Sequence, residues 1–198
     1  MQASFLHGSI SVPTGVKNRP FQAQYENTHT KKLPSGKISQ QIKMGNVYRA
    51  TDGRSRRDEQ SREAIDKFIT VVIIHNPSKH EGYLLDVESK TVFVMPIPET
   101  HNNSADNEPK EHLSHLSFTG EEIGSKKIED LTCRGFRIKR GDSVTEYWVS
   151  EDLLEILLVK EWGADEENTL RLFNVNRIEP ANDLFTVPVD YKELNIGN

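Results

Sequence analysis

The sequence is poor in cysteine and has no long apolar stretch. Its 198 residues include a single cysteine, Cys133, which excludes an intrachain disulfide and paired-cysteine zinc sites. The most apolar run, FITVVII at 68–74, is much shorter than the ~20 residues of a membrane-spanning helix. The opening MQASFLHGSISVPTG lacks the positive start and apolar centre of a signal peptide. We therefore expect no membrane span and no leader in this sequence.

Motifs for nucleotide binding and nucleophilic catalysis are also missing. The sequence contains no G-x-G-x-x-G, Walker or G-x-S-x-G pattern. Cys133 has no local base beside it, so its simplest role is that of a small buried side chain. His112 and His115 form the only metal-like pair, but they lie in or beside a polar, loop-like segment where solvated histidines are the simpler interpretation. The sequence predicts no enzyme, no cofactor and no metal.

Positive charge is too sparse for a nucleic-acid binder. The formal net charge is -5 and the sequence pI is about 5.8, so the molecule as a whole repels a phosphate backbone. Its arginine cluster, TDGRSRRDE at 51–59, is interrupted by acids. Asp-Gly between two alternating segments is a strong hairpin signal, which favours a charged hairpin over a phosphate-binding patch.

Short alternating segments separated by turns predict an antiparallel sheet. Strands are expected near Phe136, Trp148, Leu157 and Leu172 in the second half, and one short helix is expected over EQSREAIDKF at 59–68. Residues 1–19 carry turn formers and predict a flexible lead-in. Residues 20–198 then form one domain, in which the polar residues 99–117 are expected to be a mobile loop.

Several predicted strands carry apolar residues on both faces, which a sheet with one solvated face does not. TVFVMP, LEILLVKEW and LRLFNV all show this pattern. It indicates either a sandwich core or a ligand cavity on the second face. Of the two, the pattern by itself favours a sandwich core.

The C-terminal third resembles a known family. The segments EYWVS, LEILLVKEW and LRLFNVNRIEPANDLFTVPVDYKEL are similar to the end of the LolA, LolB and RseB superfamily of lipoprotein-sorting carriers. In that superfamily a Trp-bearing strand and two further strands precede a Pro-x-x-x-Leu-Phe-x-x-Pro close, carried here by Pro180, Leu184, Phe185, Pro188 and Tyr191. GNVYRATDGRSRRDE and VVIIHNPSKHEGYLLDVESKTVFVMPIP are similar to uncharacterised bacterial secreted proteins with the same tail. The resemblance covers roughly residues 20–195 and is a pattern of strands and turns.

The resemblance implies a mainly β (α+β) fold. A strongly curved antiparallel sheet would form an incomplete barrel, with one or two short helices or loops covering its concave face. It also implies a periplasmic or secreted, non-enzymatic protein that binds or carries a lipid or lipoprotein acyl chain, or another apolar ligand. The alternative is an envelope protein-interaction or stress-sensing module of RseB type, without bound lipid.

Alternation along the strands gives the candidate residues for each function. For the apolar ligand, eight side chains are predicted to line the concave face: Tyr48, Val72, Ile74, Phe93, Met95, Trp148, Leu157 and Val159. A register slip of one residue would exchange lining and core. For a periplasmic or envelope protein partner, the predicted contacts are Arg54, Arg56 and Arg57 on the charged hairpin.

Overall fold

The computed structural model describes residues 15–64, 67–97 and 120–194. Most of them belong to one twelve-stranded sheet. The strands are β1 Phe21–Lys32, β2 Ile38–Arg49, β3 Ser55–Ala64, β4 Lys67–Asn76, β5 Glu81–Asp86, β6 Thr91–Pro96, β7 Glu121–Ile128, β8 Leu131–Arg140, β9 Ser143–Ser150, β10 Glu155–Trp162, β11 Glu166–Asn176 and β12 Lys192–Leu194. Short 3-10 helices span Pro77–Lys79 and Asn182–Phe185.

The sheet is antiparallel except at one edge, and it is not closed. Its order is β12-β6-β5-β4-β3-β2-β1-β11-β10-β9-β8-β7. Consecutive strands pair within β1 to β6 and within β7 to β11, and β1 pairs with β11 to join the two halves. Only the three-residue β12 pairs in parallel, with β6. The predicted mainly β fold with an incomplete, antiparallel barrel is confirmed.

Glycines with positive φ form the hairpin turns at the positions that the sequence predicts. At the β2–β3 turn, Gly53 has a φ of +89° and the N–H of Ala50 donates to the carbonyl of Arg54 at 2.9 Å. A positive φ costs glycine least, which explains the Asp52-Gly53 signal. At the β1–β2 turn, Gly36 has a φ of +79°. All four strands expected in the second half are present, as β8 to β11.

The helix predicted over 59–68 is wrong. Residues up to Ala64 continue β3, and β4 begins at Lys67, with Ile65 and Asp66 outside the described residues. The helical spacing of a few apolar residues is a weak local signal. Pairing with β4 along the whole of β3, from Ser55 to Ala64, overrides it.

Register divides the side chains of β1 to β6 between two faces. Paired residues of neighbouring strands project on the same side of a sheet. One continuous row is Ala23, Val47, Arg57, Ile73, Leu84 and Phe93; this side also carries Tyr25 and is called the Tyr25 face. The opposite row is Tyr48, Arg56, Ile74, Tyr83 and Val94; this side is called the Tyr48 face.

A buried ion pair shows that the sheet curls toward the Tyr25 face at one end. Arg49, beside Phe21 on that face of β2, donates to the Glu155 carboxylate of β10 at 3.3 Å. The order β2-β1-β11-β10 would place these strands ~14 Å apart in a flat sheet. The Tyr25 face is therefore concave here. It encloses the larger hydrophobic core, which includes Tyr25, Val47, Leu157, Leu170 and Leu172.

The C-terminal segment covers the Tyr48 face of β3 to β6. Arg56 donates to the carbonyl of Leu184 at 2.9 Å. Phe185, only 3% exposed, packs in a second core with Val72, Ile74, Leu85 and Val92. This segment contains the tail by which the sequence resembles the LolA superfamily. The cover was predicted for the concave face. In this half of the sheet it lies on the Tyr48 face, opposite the face that is concave at Arg49.

Residues 15–19 are attached to the sheet where the structure describes them. Val16 is 1% exposed, Asn18 donates its N–H to the carbonyl of Thr51 at 2.8 Å, and the carbonyl of Arg19 accepts from Arg49 Nε at 3.0 Å. The rest of the predicted lead-in and the predicted loop at 99–117 lie outside the described residues.

Candidate binding face of the sheet

The Tyr25 face of β4 to β6 carries an apolar strip that the described residues cover only in part. Ile73, Leu84 and Phe93 are direct cross-strand neighbours, and all three are half-buried. Met95 lies two residues further along β6 on the same face and is 37% exposed. β-branched and aromatic side chains stabilise such a face by cross-strand contact, and here they also present accessible hydrocarbon.

A glycine lies next to the strip, at the end of β5 nearest Met95. Gly82 lies between His75 and Met95 in the next row of the Tyr25 face. A Cβ added at Gly82 would lie 3.4 Å from the His75 ring and 3.5 Å from the Ile97 side chain. Ile97 therefore leans over this position. Burial lowers the pKa of His75, so this imidazole is neutral near pH 7 and the strip gains no charge from it.

Charged groups meet the strip at the middle of the sheet. Arg57, in the same row as Ile73, lies 4.6 Å from the centre of the Tyr25 ring and donates to Glu59 at 2.8 Å. Lys43 donates to the other oxygen of Glu59, also at 2.8 Å. Burial raises the pKa of Tyr25 to about 12, so the phenol stays protonated. The Tyr25 face is thus apolar over β4 to β6 and charge-paired over β2 and β3.

The eight residues predicted to line the concave face do not share one surface. Tyr48, Val72 and Ile74 lie on the Tyr48 face, where they pack with Phe185 in the second core. Phe93 lies on the opposite, Tyr25 face with Met95. The predicted residues of β2 and β4 therefore do not share one surface with Phe93 and Met95. On β4 the side chains of the Tyr25 face are those of Val71 and Ile73, one residue away from the predicted pair, which is the effect of a register slip.

The remaining three predicted residues belong to the larger core. Leu157 is fully buried and Trp148 is 8% exposed, with Val159 packed against the same cluster. Lys126 lies 3.8 Å from the centre of the Trp148 ring, which closes one side of the indole. These positions form structural core. The sequence shows that Ile73 and Leu84 are apolar residues of alternating strands. It does not show that they lie on the Tyr25 face, so they were not among the predicted residues.

The three arginines predicted as partner contacts are used within the chain. Arg54 donates to Asp52 and to the side-chain oxygen of Asn182, both at 2.7 Å, and its guanidinium lies 5.0 Å from the Phe185 ring centre. Arg56 holds Leu184, as described above. Arg57 projects from the Tyr25 face and is 6% exposed. The three side chains therefore form no common surface, and two of them attach the C-terminal segment.

The described residues do not cluster metal-ligating side chains, and their cysteine is poorly reactive. Cys133 is fully buried, and burial raises the pKa of its thiol to about 11, which suppresses the nucleophilic thiolate. No group of three or more metal-ligating acids, histidines or cysteines occurs in the three described ranges. His112 and His115 lie outside them. Within the same ranges, no helix has the length and apolarity needed to cross a membrane.

The fold and this face define an open, curved antiparallel sheet with one half-covered apolar strip. The chain belongs to the family described as "Domain of unknown function (DUF4412)", which it matches over residues 32–187. None of the curated proteins compared with the chain matches it significantly.

Solved structures with low sequence identity are similar to the chain. MucB is 9% identical with a TM-score of 0.47, over 89% of this chain and 60% of that one. PNGF-II is 14% identical with a TM-score of 0.46, over 89% of this chain and 31% of that one. The LolA superfamily protein NE2245 from Nitrosomonas europaea is 9% identical with a TM-score of 0.36, over 86% and 91%. The chain thus spans about a third of PNGF-II and three-fifths of MucB. A member of the superfamily that the sequence resembles is among these structures.

Proposed function

We propose that this is a non-enzymatic binding protein that holds an acyl chain or another apolar group against the Tyr25 face of β4 to β6. The observation that carries the proposal is the aligned strip of Ile73, Leu84 and Phe93, with Met95 beside it. These side chains remain partly accessible, whereas four side chains on the Tyr48 face of the same strands are buried beneath the C-terminal segment: Val72, Ile74, Leu85 and Val92.

The energetics suit hydrocarbon better than a polar ligand. Each buried CH₂ contributes ~0.8 kcal/mol, so a chain lying across three strands gains affinity from contact area alone. The charged groups nearest the strip, Arg57 and Glu59, already pair with each other. The ligand's head group is therefore expected to lie away from them. The resemblance to secreted carriers supports a periplasmic or extracellular site of action.

The proposal is tested on two adjacent residues of β6 that face opposite ways. Phe93→Asp places a charge in the strip, and Val94→Asp places the same charge on the Tyr48 face, where Val94 is 36% exposed. After solvent extraction of the purified protein, each variant is titrated with a fluorescent long-chain fatty acid. We expect Phe93→Asp to weaken binding at least ~10-fold, the value of one lost aromatic contact, and Val94→Asp to leave it unchanged.

Three results would count against this function. The wild-type protein could fail to bind the probe, the two variants could bind equally well, or Val94→Asp could weaken binding more. Far-ultraviolet circular dichroism of both variants checks that the sheet is intact. Native mass spectrometry of the unextracted protein then identifies the class of any ligand retained from the cell.

A further inference from the structure

Strand β2 is paired on both sides along only part of its length. β1 pairs with all of it, from Ile38 to Arg49. β3 pairs only with Met44 to Arg49, because β3 leaves β2 after Gln60 and continues with β4 alone. Nothing in the described ranges pairs with the outer side of residues 38–43. Within the described part of the chain, a free edge of six residues therefore lies inside the strand order.

Most of this free edge lacks the features that normally prevent edge-to-edge pairing. Ile38 is 73% exposed and Ile42 is 48% exposed, on the same face, and the sequence from one to the other, ISQQI, carries no charge. Exposed edges usually carry charged residues, proline or a bulge. The terminal strand β7 follows that rule: it reads EEIGSKKI and has an irregularity at Gly124, whose φ is +98°. The edge of β2 has one charge, Lys43 at its end, and no proline or bulge.

The edge is also complementary to itself. In an antiparallel pair of two copies with a two-fold axis at Gln40, Ile38 of each copy lies opposite Ile42 of the other, and Gln40 lies opposite Gln40. A shift toward Met44 is prevented because the outer side of Met44 already pairs with Gln60. Isologous contacts of this kind are the usual basis of two-fold dimers.

We propose that residues 38–43 form a dimerisation edge, which joins two copies of the chain into one continuous antiparallel sheet. A six-residue strand is only ~20 Å long, so the contact is smaller than a standard stable interface, and we expect a weak dimer that dissociates on dilution. The dimer leaves the strip on β4 to β6 uncovered and does not depend on the proposed ligand.

Cysteine cross-linking tests the two-fold axis directly. Gln40→Cys brings two thiols opposite each other, whereas Gln41→Cys places them on the other face and opposite Ser39 of the second copy. The native Cys133 is fully buried and provides a low background. Under mild oxidation we expect a covalent dimer from Gln40→Cys and little from Gln41→Cys. Equal cross-linking of both variants, or of neither, would overturn the proposal.

Charge variants test the register by sedimentation velocity. In this register Lys37 of each copy lies opposite Lys43 of the other, which gives two symmetry-related like-charge pairs. Lys37→Glu makes both pairs attractive and should strengthen dimerisation roughly tenfold, while Ile42→Lys should abolish it. A wild-type chain that stays monomeric at its highest soluble concentration refutes the dimer. Amides of 38–43 that are protected from hydrogen exchange in that monomer would show that another segment of the chain occupies the edge.

Discussion

Replacing Arg49 with methionine is expected to destabilise the protein by about 3–5 kcal/mol at pH 8, the usual cost of breaking a buried ion pair. The Arg49 side chain is fully buried. It donates to the carbonyl of Arg19 at 3.0 Å, to the carbonyl of Leu153, and to Glu155 at 3.3 Å. Methionine fills a similar volume but leaves the Glu155 carboxylate buried without a cation.

The cost should shrink at lower pH. Burial raises the pKa of Glu155 to about 7, even though Arg49 lowers it. A carboxyl whose pKa is raised by folding contributes stability that is complete below its unfolded pKa of ~4.3 and is lost as the pH rises through the folded pKa. In Arg49→Met the folded pKa rises further, so the loss continues beyond pH 7. At pH 5 the carboxyl is protonated in both proteins. Because the wild-type carboxyl ionises only as the pH passes its folded pKa of about 7, the cost at pH 5 is lower than at pH 8 by at most about 1.4 kcal/mol. The two carbonyls left without a donor account for much of the cost that remains.

Urea unfolding at pH 5 and pH 8 measures this difference. The matched control is the same Arg49→Met change made in a Glu155→Gln background, which has no carboxyl to titrate. There the cost of losing Arg49 should be the same at both pH values. An equal cost of Arg49→Met at pH 5 and pH 8 in the wild-type background would refute the argument, because it would mean that the charge of Glu155 does not matter in the core.

Three further predictions follow from packing. Gly45→Ala should lower the free energy of unfolding by about 1–3 kcal/mol, because a Cβ at this position would lie 1.8 Å from the carbonyl oxygen of Asp58. The control is Gly163→Ala, whose Cβ would meet nothing within 4 Å. Equal urea midpoints for the two variants would contradict the prediction. Phe185→Ala should cost about 3–5 kcal/mol and increase proteolysis of the C-terminal segment; unchanged cleavage would show that Phe185 does not hold this segment. Cys133 should resist a disulfide reagent in the native protein and react fully in urea, because it is fully buried with a raised pKa; rapid native labelling would disprove its burial.

Local signals in the sequence determined most of the strands. The Asp52-Gly53 turn needs a residue that tolerates positive φ, and period-2 alternation marks strands whatever their neighbours are. Cys133, which has no partner in the sequence, is a buried side chain as its surroundings suggested. The helix predicted at 59–68 failed because short helical spacing says nothing about the pairing with β4 that is available to this segment.

The sequence could not determine which face of each strand is covered. Val72 and Ile73 are both aliphatic, so alternation alone does not distinguish them. The position of the C-terminal segment decides, because Phe185 packs against Val72 and leaves Ile73 on the opposite face. The same holds for the arginines. Their cluster is visible in the sequence, but the carbonyl of Leu184 and the side chain of Asn182, 128 residues away, give them their contacts.

The sequence by itself therefore determined the class of fold, the hairpin order and the absence of familiar catalytic motifs, because each depends on residues that are close along the chain. Only the tertiary structure decided which side of the sheet is concave, where the apolar strip lies and which edge is free. Those properties depend on side chains that meet across strands, as Arg49 meets Glu155, and on a strand, β3, that leaves its neighbour part of the way along. No local pattern encodes either event.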